Sequence, residues 1–315
     1  MTQLLTDKIL ANHKRFIARL ITRLENNHPT VQAELNALYP HTGQAHLVGV
    51  TGAPGTGKSS LVNELAKAYR QQAKRVAILA VDPTSPFSGG AVLGDRIRMQ
   101  DLSGDAGVFI RSMATRGSLG GLAVAVNDTL KVLDAAGYEV ILIETVGAGQ
   151  SEVDIVRTAH TVIVVEAPGL GDDVQAIKAG ILEIADIFLV NKADRDGVNR
   201  TVSSLKRMLE LGNLYQQTDD PVPWSIPIIK TVAIKSEGID EAVKAIQTHH
   251  GHLKATGHLV IRNKERLHNE LTMLLQTELM ARLYQKISPE TLSQIIDQIA
   301  QRDLSPHQAI QKILG

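Results

Sequence analysis

Gly52-Ala53-Pro54-Gly55-Thr56-Gly57-Lys58-Ser59 satisfies the pattern G-x-x-x-x-G-K-[ST] at every fixed position. Its glycines let the backbone fold tightly, so that successive N–H groups converge on a di- or triphosphate. The run before it, His46–Thr51, reads as a short buried strand, and the run after it, Ser60–Lys67, as a helix. That helix N-terminus, with Ser60 in its first turn, adds partial positive charge. Lys58 is placed to reach the β- and γ-phosphates, and the Ser59 hydroxyl to bind Mg²⁺.

A second motif bears on the base. Asn191-Lys192-Ala193-Asp194 follows the apolar run Ile187–Val190, and strand ends are where doubly wound sheets bind ligands. The Asp194 carboxylate can accept hydrogen bonds from guanine N1–H and the 2-amino group, a pair of donors that adenine lacks. Asn191 can contact the base edge and hold the loop, and the Lys192 stem can cover the ring. Together with a phosphate loop, N-K-x-D selects GTP and GDP over adenine nucleotides.

Further residues that can serve the phosphates lie between the two motifs. Asp82 ends a strand candidate and Asp95 opens a helix candidate. Both carboxylates suit Mg²⁺, directly or through its waters; Asp95 also reads as a helix cap. In Ile143-Glu144-Thr145-Val146-Gly147-Ala148-Gly149-Gln150, Glu144 stands where GTPases carry the acid of D-x-x-G. The Gly147 N–H is then a γ-phosphate contact. Gln150 lies two residues beyond the place where a water-orienting glutamine is expected, so both a catalytic role and a solvent-facing one stay open. Ala167–Lys178 is a loop carrying Asp172, Asp173 and Lys178 into a helix.

These motifs need a frame. Strand candidates are His46–Thr51, Arg75–Val81, Gly107–Met113, Glu139–Glu144, Thr161–Glu166, Asp186–Asn191 and Pro227–Ala233. Most are aliphatic runs without polar alternation, as for strands buried on both faces. Helical segments separate them, which predicts an α/β fold with a mainly parallel sheet of about seven strands. Residues 6–26 carry apolar residues at helical spacing, and Val31, Leu35 and Leu38 suggest a short helix ending before Pro40. Both must pack outside the nucleotide domain. At the other end, Leu267, Leu271, Leu274, Leu275, Leu279 and Leu283 form a helical stripe, and Ser288-Pro289 and Ser305-Pro306 each start another helix. The expected domains are a helical segment 1–45, a nucleotide domain 46–252 and a helical arm 253–315.

With 33 basic and 33 acidic residues the formal charge is zero, which offers no footprint for nucleic acid or an anionic membrane. The chain has no cysteine, which removes disulfides, thiolate metal sites and cysteine nucleophiles. No apolar run reaches spanning length, and the first residues lack a signal-peptide core; a cytoplasmic location is the expectation.

The chain resembles the MeaB/ArgK-type GTPases, chaperones of adenosylcobalamin-dependent acyl-CoA mutases such as methylmalonyl-CoA mutase. The resemblance rests on Asp82-Pro83-Thr84-Ser85, Gly89–Asp95, Thr115–Gly121, Glu144–Glu152 and Asn191–Asp194, and extends over nearly the whole chain. It implies a P-loop NTPase of the SIMIBI type, GTP/GDP and Mg²⁺ as ligands, and a homodimer that binds the mutase. It also implies control of cofactor delivery and coupling through the loop carrying Asp172, Asp173 and Lys178. With no glutamine directly after Gly147 and no obvious arginine finger in the chain, hydrolysis should be slow alone and stimulated by a partner that orders the switches. Two departures matter. The guanine-side loop, often Ser-Ala-x, is Thr231-Val232-Ala233-Ile234 here, which makes the Ala233 N–H the expected contact to guanine O6. Ala148 also follows Gly147 where a glutamine is usual. Alternatives are a nickel-inserting metallochaperone, a signal-recognition-type GTPase and a nucleotide-binding subunit without turnover. For the first, His249-His250-Gly251-His252 reads as a solvated turn near a helix end.

Overall fold

In a computed structural model the described residues are 2–26, 28–82, 100–102, 104–114, 121–145, 158–169, 184–215 and 222–314. Among them, seven strands form one sheet: β1 (His46–Thr51), β2 (Val76–Asp82), β3 (Val108–Ala114), β4 (Val140–Thr145), β5 (Thr161–Glu166), β6 (Ile187–Val190) and β7 (Ile228–Lys230). Their order is β3-β2-β4-β1-β5-β6-β7, and every pairing is parallel. The strand carrying the phosphate loop is thus central, where the order of connections reverses, and in such sheets ligands bind at the carboxyl ends of the strands at that point.

Aliphatic side chains fill both faces, because strand residues point alternately to opposite sides. Leu47, Ala77, Leu79, Ile141 and Ile143 belong to one core, packed with the helix Gly121–Ala135 and the N-terminal helices. Val48, Val50, Ile78, Leu142 and Ile163 belong to the other, beneath the phosphate-loop helix Lys58–Gln71 and the helix Ile239–Ala255. A third cluster around Phe188 and Leu205 packs beside β6, with the helix Val198–Tyr215. The uninterrupted apolar runs in the sequence are the signature of this two-sided burial.

The N-terminal region departs from expectation. The periodicity over residues 6–26 suggests one helix, but two form, Thr2–Leu10 and Lys14–Glu25. Asn12 between them is left-handed at φ 57°. Its N–H bonds to Ile9 O at 2.8 Å and the His13 N–H to Lys8 O at 3.0 Å, closing the first helix. The Asn12 side chain then donates to Ala136 O at 2.8 Å and accepts from the Tyr138 hydroxyl at 3.2 Å. The Asn12 backbone thus ends the helix, and its side chain fastens that end to the turn before β4. A third helix, Val31–Leu38, stops before Pro40 as expected.

Two strands are shorter than the apolar runs suggest. β6 leaves Asp186 and Asn191 as its flanking residues. β7 ends at Lys230, because the chain then turns: Val232 and Glu237 bridge each other, and Ala233–Lys235 is a 3₁₀ turn. Ala233 therefore sits in a turn rather than a strand.

By compactness the chain divides into Met1–Arg266 and Leu267–Gly315. The helix His258–Lys286 runs through this division. In the second unit, Ser288 caps Pro289–Ala300 by accepting the Thr291 N–H at 3.1 Å, and Ser305 caps Pro306–Leu314 by accepting the Gln308 N–H at 3.2 Å. Ile295 and Ala309 are buried there, whereas Leu271, Leu275 and Leu279 are each more than half exposed.

Candidate functional site

The loop after β1 is shaped by left-handed and extended glycines. Gly52 has φ 144°, and a Cβ there would lie 2.2 Å from Val165 O on the neighbouring β5. Gly57 has φ 92°, and its Cβ would lie 2.4 Å from the Asn191 amide. Neither position admits a side chain without displacing backbone or the base motif, so the fold itself requires glycine at both. Thr56 closes the loop, its hydroxyl donating to Ala53 O at 2.9 Å. The Lys58 ammonium donates to Gly52 O at 2.7 Å and Ala53 O at 3.2 Å, lying across the mouth of the loop. Lys58, Ser59 and Ser60 open the helix whose first N–H groups have no partner within it. A tight glycine loop ahead of a helix N-terminus, with an ammonium beside it, has the form that suits a phosphate.

Beneath it, Ser59 Oγ donates to Glu144 Oε1 at 2.5 Å. Parallel pairing sets this contact: Glu144 lies opposite Val50 in the β1–β4 register. Glu144 is only 1% exposed. A hydroxyl and a buried carboxyl side by side, both hard oxygen donors, fit Mg²⁺.

Glu166 closes β5 on the same edge of the sheet. Burial pushes its carboxyl up to about 7, and the nearby Lys58 ammonium only partly opposes this. The sequence places Glu166 at a strand end but gives no motif that singles it out.

On the base side, Asn191 is a junction. Its amide N–H donates to Thr56 O at 2.8 Å, while its carbonyl accepts the Ala233 N–H at 3.1 Å and the Thr231 hydroxyl at 3.3 Å. Phosphate loop, base motif and guanine-side turn therefore meet in one buried side chain. Lys192, left-handed at φ 57°, donates to Gly55 O at 2.6 Å. Asp194 is exposed and pairs with Lys235 Nζ at 3.2 Å. The hydrogen bond from Lys235 holds its carboxyl below the usual range, keeping it an acceptor.

The structure thus gathers Gly52, Ala53, Pro54, Gly55, Thr56, Gly57, Lys58, Ser59, Glu144, Asn191, Lys192, Asp194 and Ala233 at the carboxyl edge of the sheet. Asp82 ends β2 on that edge. Asp95, Gly147, Gln150, Asp172, Asp173 and Lys178 lie outside the described residues.

The histidine-rich stretch is a correction. His249, His250 and His252 lie on the helix Ile239–Ala255, and His249 is fully buried rather than in a solvated turn. His249 Nδ1 is 2.9 Å from Thr161 Oγ1 and its Nε2 is 3.3 Å from Asp186 Oδ1. His250 stacks on His46 with ring centroids 3.8 Å apart. Periodicity could have revealed this, since His249 follows Ala242 and Ile246 at spacings of three and four on the helix's buried face.

Both ligand-facing loops leave the carboxyl edge of one parallel sheet, which is the architecture of the P-loop GTPases. The chain belongs to the family of methylmalonyl-CoA mutase-associated GTPases, MeaB, which matches residues 17–288. A putative GTPase of Pyrococcus abyssi is 46% identical over 98% of this chain and 95% of its own. The GTPase ArgK of Escherichia coli is 37% identical over 77% and 74%. The mitochondrial methylmalonic aciduria type A homolog of Caenorhabditis briggsae is 29% identical over 90% and 72%. Among solved structures, a LAO/AO transport system kinase superposes with a TM-score of 0.75 over 99% of this chain and 96% of its own, at 25% identity.

Proposed function

We propose that this protein is a GTP-binding and GTP-hydrolysing chaperone that gates adenosylcobalamin loading of an acyl-CoA mutase and protects or reactivates that enzyme. The observation that carries the nucleotide part is the Asn191 junction, which ties a complete phosphate loop to a base motif with an ionised acceptor, Asp194. Family membership supports the mutase as partner, as does the name of the nematode relative.

In this reading the N–H groups from Gly55 to Ser60 cradle the phosphates, and Lys58 leaves the Gly52 and Ala53 carbonyls to neutralise them. Ser59 and Glu144, with Asp82 and Asp95, would supply the oxygen donors for Mg²⁺, which would neutralise phosphate charge there. Asp194 accepts from the guanine N1–H and 2-amino group, and the Ala233 N–H serves O6. Gly147 contacts the γ-phosphate, and Gln150 is the candidate for orienting water. The loop with Asp172, Asp173 and Lys178 carries the nucleotide state to the mutase. The domain is residues 46–252, and the arm 253–315 forms a homodimer.

The test is GTP turnover of the purified protein, alone and with an adenosylcobalamin-dependent acyl-CoA mutase, together with the rate of cofactor transfer to that mutase. Stimulated hydrolysis and nucleotide-dependent loading are expected, and both should disappear in Lys58→Ala. A mutase that neither co-elutes with the protein nor alters its turnover refutes the chaperone role. Equal affinity for ATP and GTP refutes the guanine assignment.

A further inference from the structure

The guanine-side turn is held from an unexpected direction. Within four residues it reaches three separate parts of the site. The Ala233 N–H goes to Asn191 Oδ1 at 3.1 Å, Lys235 Nζ lies 3.2 Å from Asp194 Oδ2, and Ser236 Oγ donates to Glu64 Oε2 at 2.7 Å. Glu64 belongs to no nucleotide motif. It lies on the phosphate-loop helix, fewer than two turns beyond Lys58. Its other oxygen accepts from Lys67 Nζ at 2.9 Å and from the Asn63 amide at 3.3 Å. Lys67 in turn reaches Asp101 Oδ2 at 3.2 Å. The Glu64 side chain is half-buried, 16% exposed. Burial raises its protonation tendency, but the hydrogen bonds from Lys67 and Ser236 outweigh that and hold it ionised.

The turn needs such a hold. Ser236 is left-handed at φ 56°, a conformation that a non-glycine residue adopts at a cost. Gly238 follows at φ 76°, where a Cβ would lie 2.2 Å from Lys230 O. Ile234 is 83% exposed and so contributes little packing to fix the turn. A charge-assisted hydrogen bond from the strained residue to a rigid helix is the kind of contact that defines one geometry. We infer that Glu64 is a positioning residue for guanine selection: through Ser236 it fixes the Ala233–Ser236 turn to the phosphate-loop helix. The base-side N–H and the Lys235-paired Asp194 are thereby set at a fixed distance from the phosphate cradle. The ligand class is the guanine nucleotide, so the inference rests on the proposed GTP reading.

The experiment compares the binding of GTP, ATP and inorganic tripolyphosphate by the full-length protein and its Glu64→Ala, Ser236→Ala and Ser236→Asn variants. Tripolyphosphate has no base, so it reports on the phosphate loop alone. Glu64→Ala and Ser236→Ala should each raise the dissociation constant for GTP about tenfold, the range of one charge-assisted hydrogen bond, and leave that for tripolyphosphate within about twofold. The GTP/ATP ratio should fall accordingly. Ser236→Asn keeps a side-chain donor and tolerates the left-handed backbone, so it should retain most of the ratio. The Glu64→Ala/Ser236→Ala double variant should be no worse than either single one, because both remove the same contact. Equal loss for GTP and tripolyphosphate would mean that Glu64 merely supports the helix, and an unchanged GTP/ATP ratio would also overturn the inference. Wild-type protein that does not distinguish GTP from ATP would instead overturn the guanine reading beneath it.

Discussion

Asp186 accepts both arms of the Arg262 guanidinium, at 2.8 and 2.9 Å. The two residues join the amino end of β6 to the helix His258–Lys286. At its carboxyl end the same four-residue strand delivers the base motif. Asp186 also accepts the Val162 N–H at 2.8 Å and is 8% exposed in its side chain. Removing Arg262 therefore leaves a buried carboxylate without its charged partner. Arg262→Ala should destabilise the protein by roughly 3 kcal/mol. Arg262→Lys should recover only part, since an ammonium cannot donate in the same two-pronged way. Urea denaturation at neutral pH measures both, and a midpoint unchanged in Arg262→Ala would show the pair to be energetically idle.

Three imidazoles near that clamp make the fold acid-sensitive. Burial lowers His46 to about 2, His160 to about 3 and His250 to about 4; neighbouring positive charge adds to the shift, from the other histidines for His46, Arg266 for His160 and Lys254 for His250. The folded state keeps them neutral, whereas the unfolded chain binds protons near 6.5. Their contribution is fully present above about 6.5 and is lost as pH falls from there toward the folded values. Stability should decline steadily from about pH 6.5 to about 4.5. His250→Leu preserves an apolar contact on His46 and removes one titrating ring, so it should flatten the decline. Identical slopes of stability against pH for wild type and variant would contradict this.

The two nucleotide motifs, the seven strands and their parallel arrangement were legible because each has a local signature, whereas the order of the strands was not. The phosphate loop is contiguous, and strands buried on both faces read as aliphatic runs. The break at Asn12 was not legible, since the apolar spacing continues through it; only the bonds to Ala136 and Tyr138, over a hundred residues away, show why the chain turns there. The burial of His249 follows from helical spacing, but its partners were hidden for the same reason. His46, Thr161, Asp186 and His249 come from three strand ends and a helix, and each alone is ordinary. Glu64 and Ser236 are 172 positions apart, and no spacing rule links them.

Glu166 gives a pH dependence of opposite sign. Its folded value, about 7, lies above the ordinary carboxylate range. The folded state therefore favours the neutral acid, and this contribution is present below the unfolded value near 4.3 and lost as pH rises through about 7. Glu166→Gln should be more stable than wild type at about pH 8 and gain little at about pH 5. A triphosphate that recruits Lys58 removes the charge favouring the Glu166 carboxylate and adds negative charge nearby. Nucleotide binding should then take up a proton near neutrality, and GTP affinity should fall between about pH 6 and about pH 8. Calorimetry in buffers of different ionisation enthalpy reads that proton directly. Proton uptake unchanged in Glu166→Gln would place its source elsewhere.

The exposed face of the tail helix bears on assembly. Leu271, Leu275 and Leu279 follow one another at four-residue spacing on the helix His258–Lys286, and are 58%, 54% and 63% exposed. Tyr284, at 55%, and Met280, at 46%, lie further along the same helix. A run of large apolar side chains of this kind is a signature of an interaction surface. The proposed homodimer covers it with a second copy, which in a two-fold arrangement presents the same patch. Deleting residues 256–315 would also remove Arg262, so loss of the dimer there would confound two effects. Leu271→Glu, Leu275→Glu and Leu279→Glu combined leave the clamp intact. Light scattering should find a dimer for the wild type and a soluble monomer for the triple variant, with GTP affinity in the nucleotide unit unchanged. A triple variant that remains dimeric would place the subunit interface elsewhere, and a monomeric wild type would rule out the homodimer.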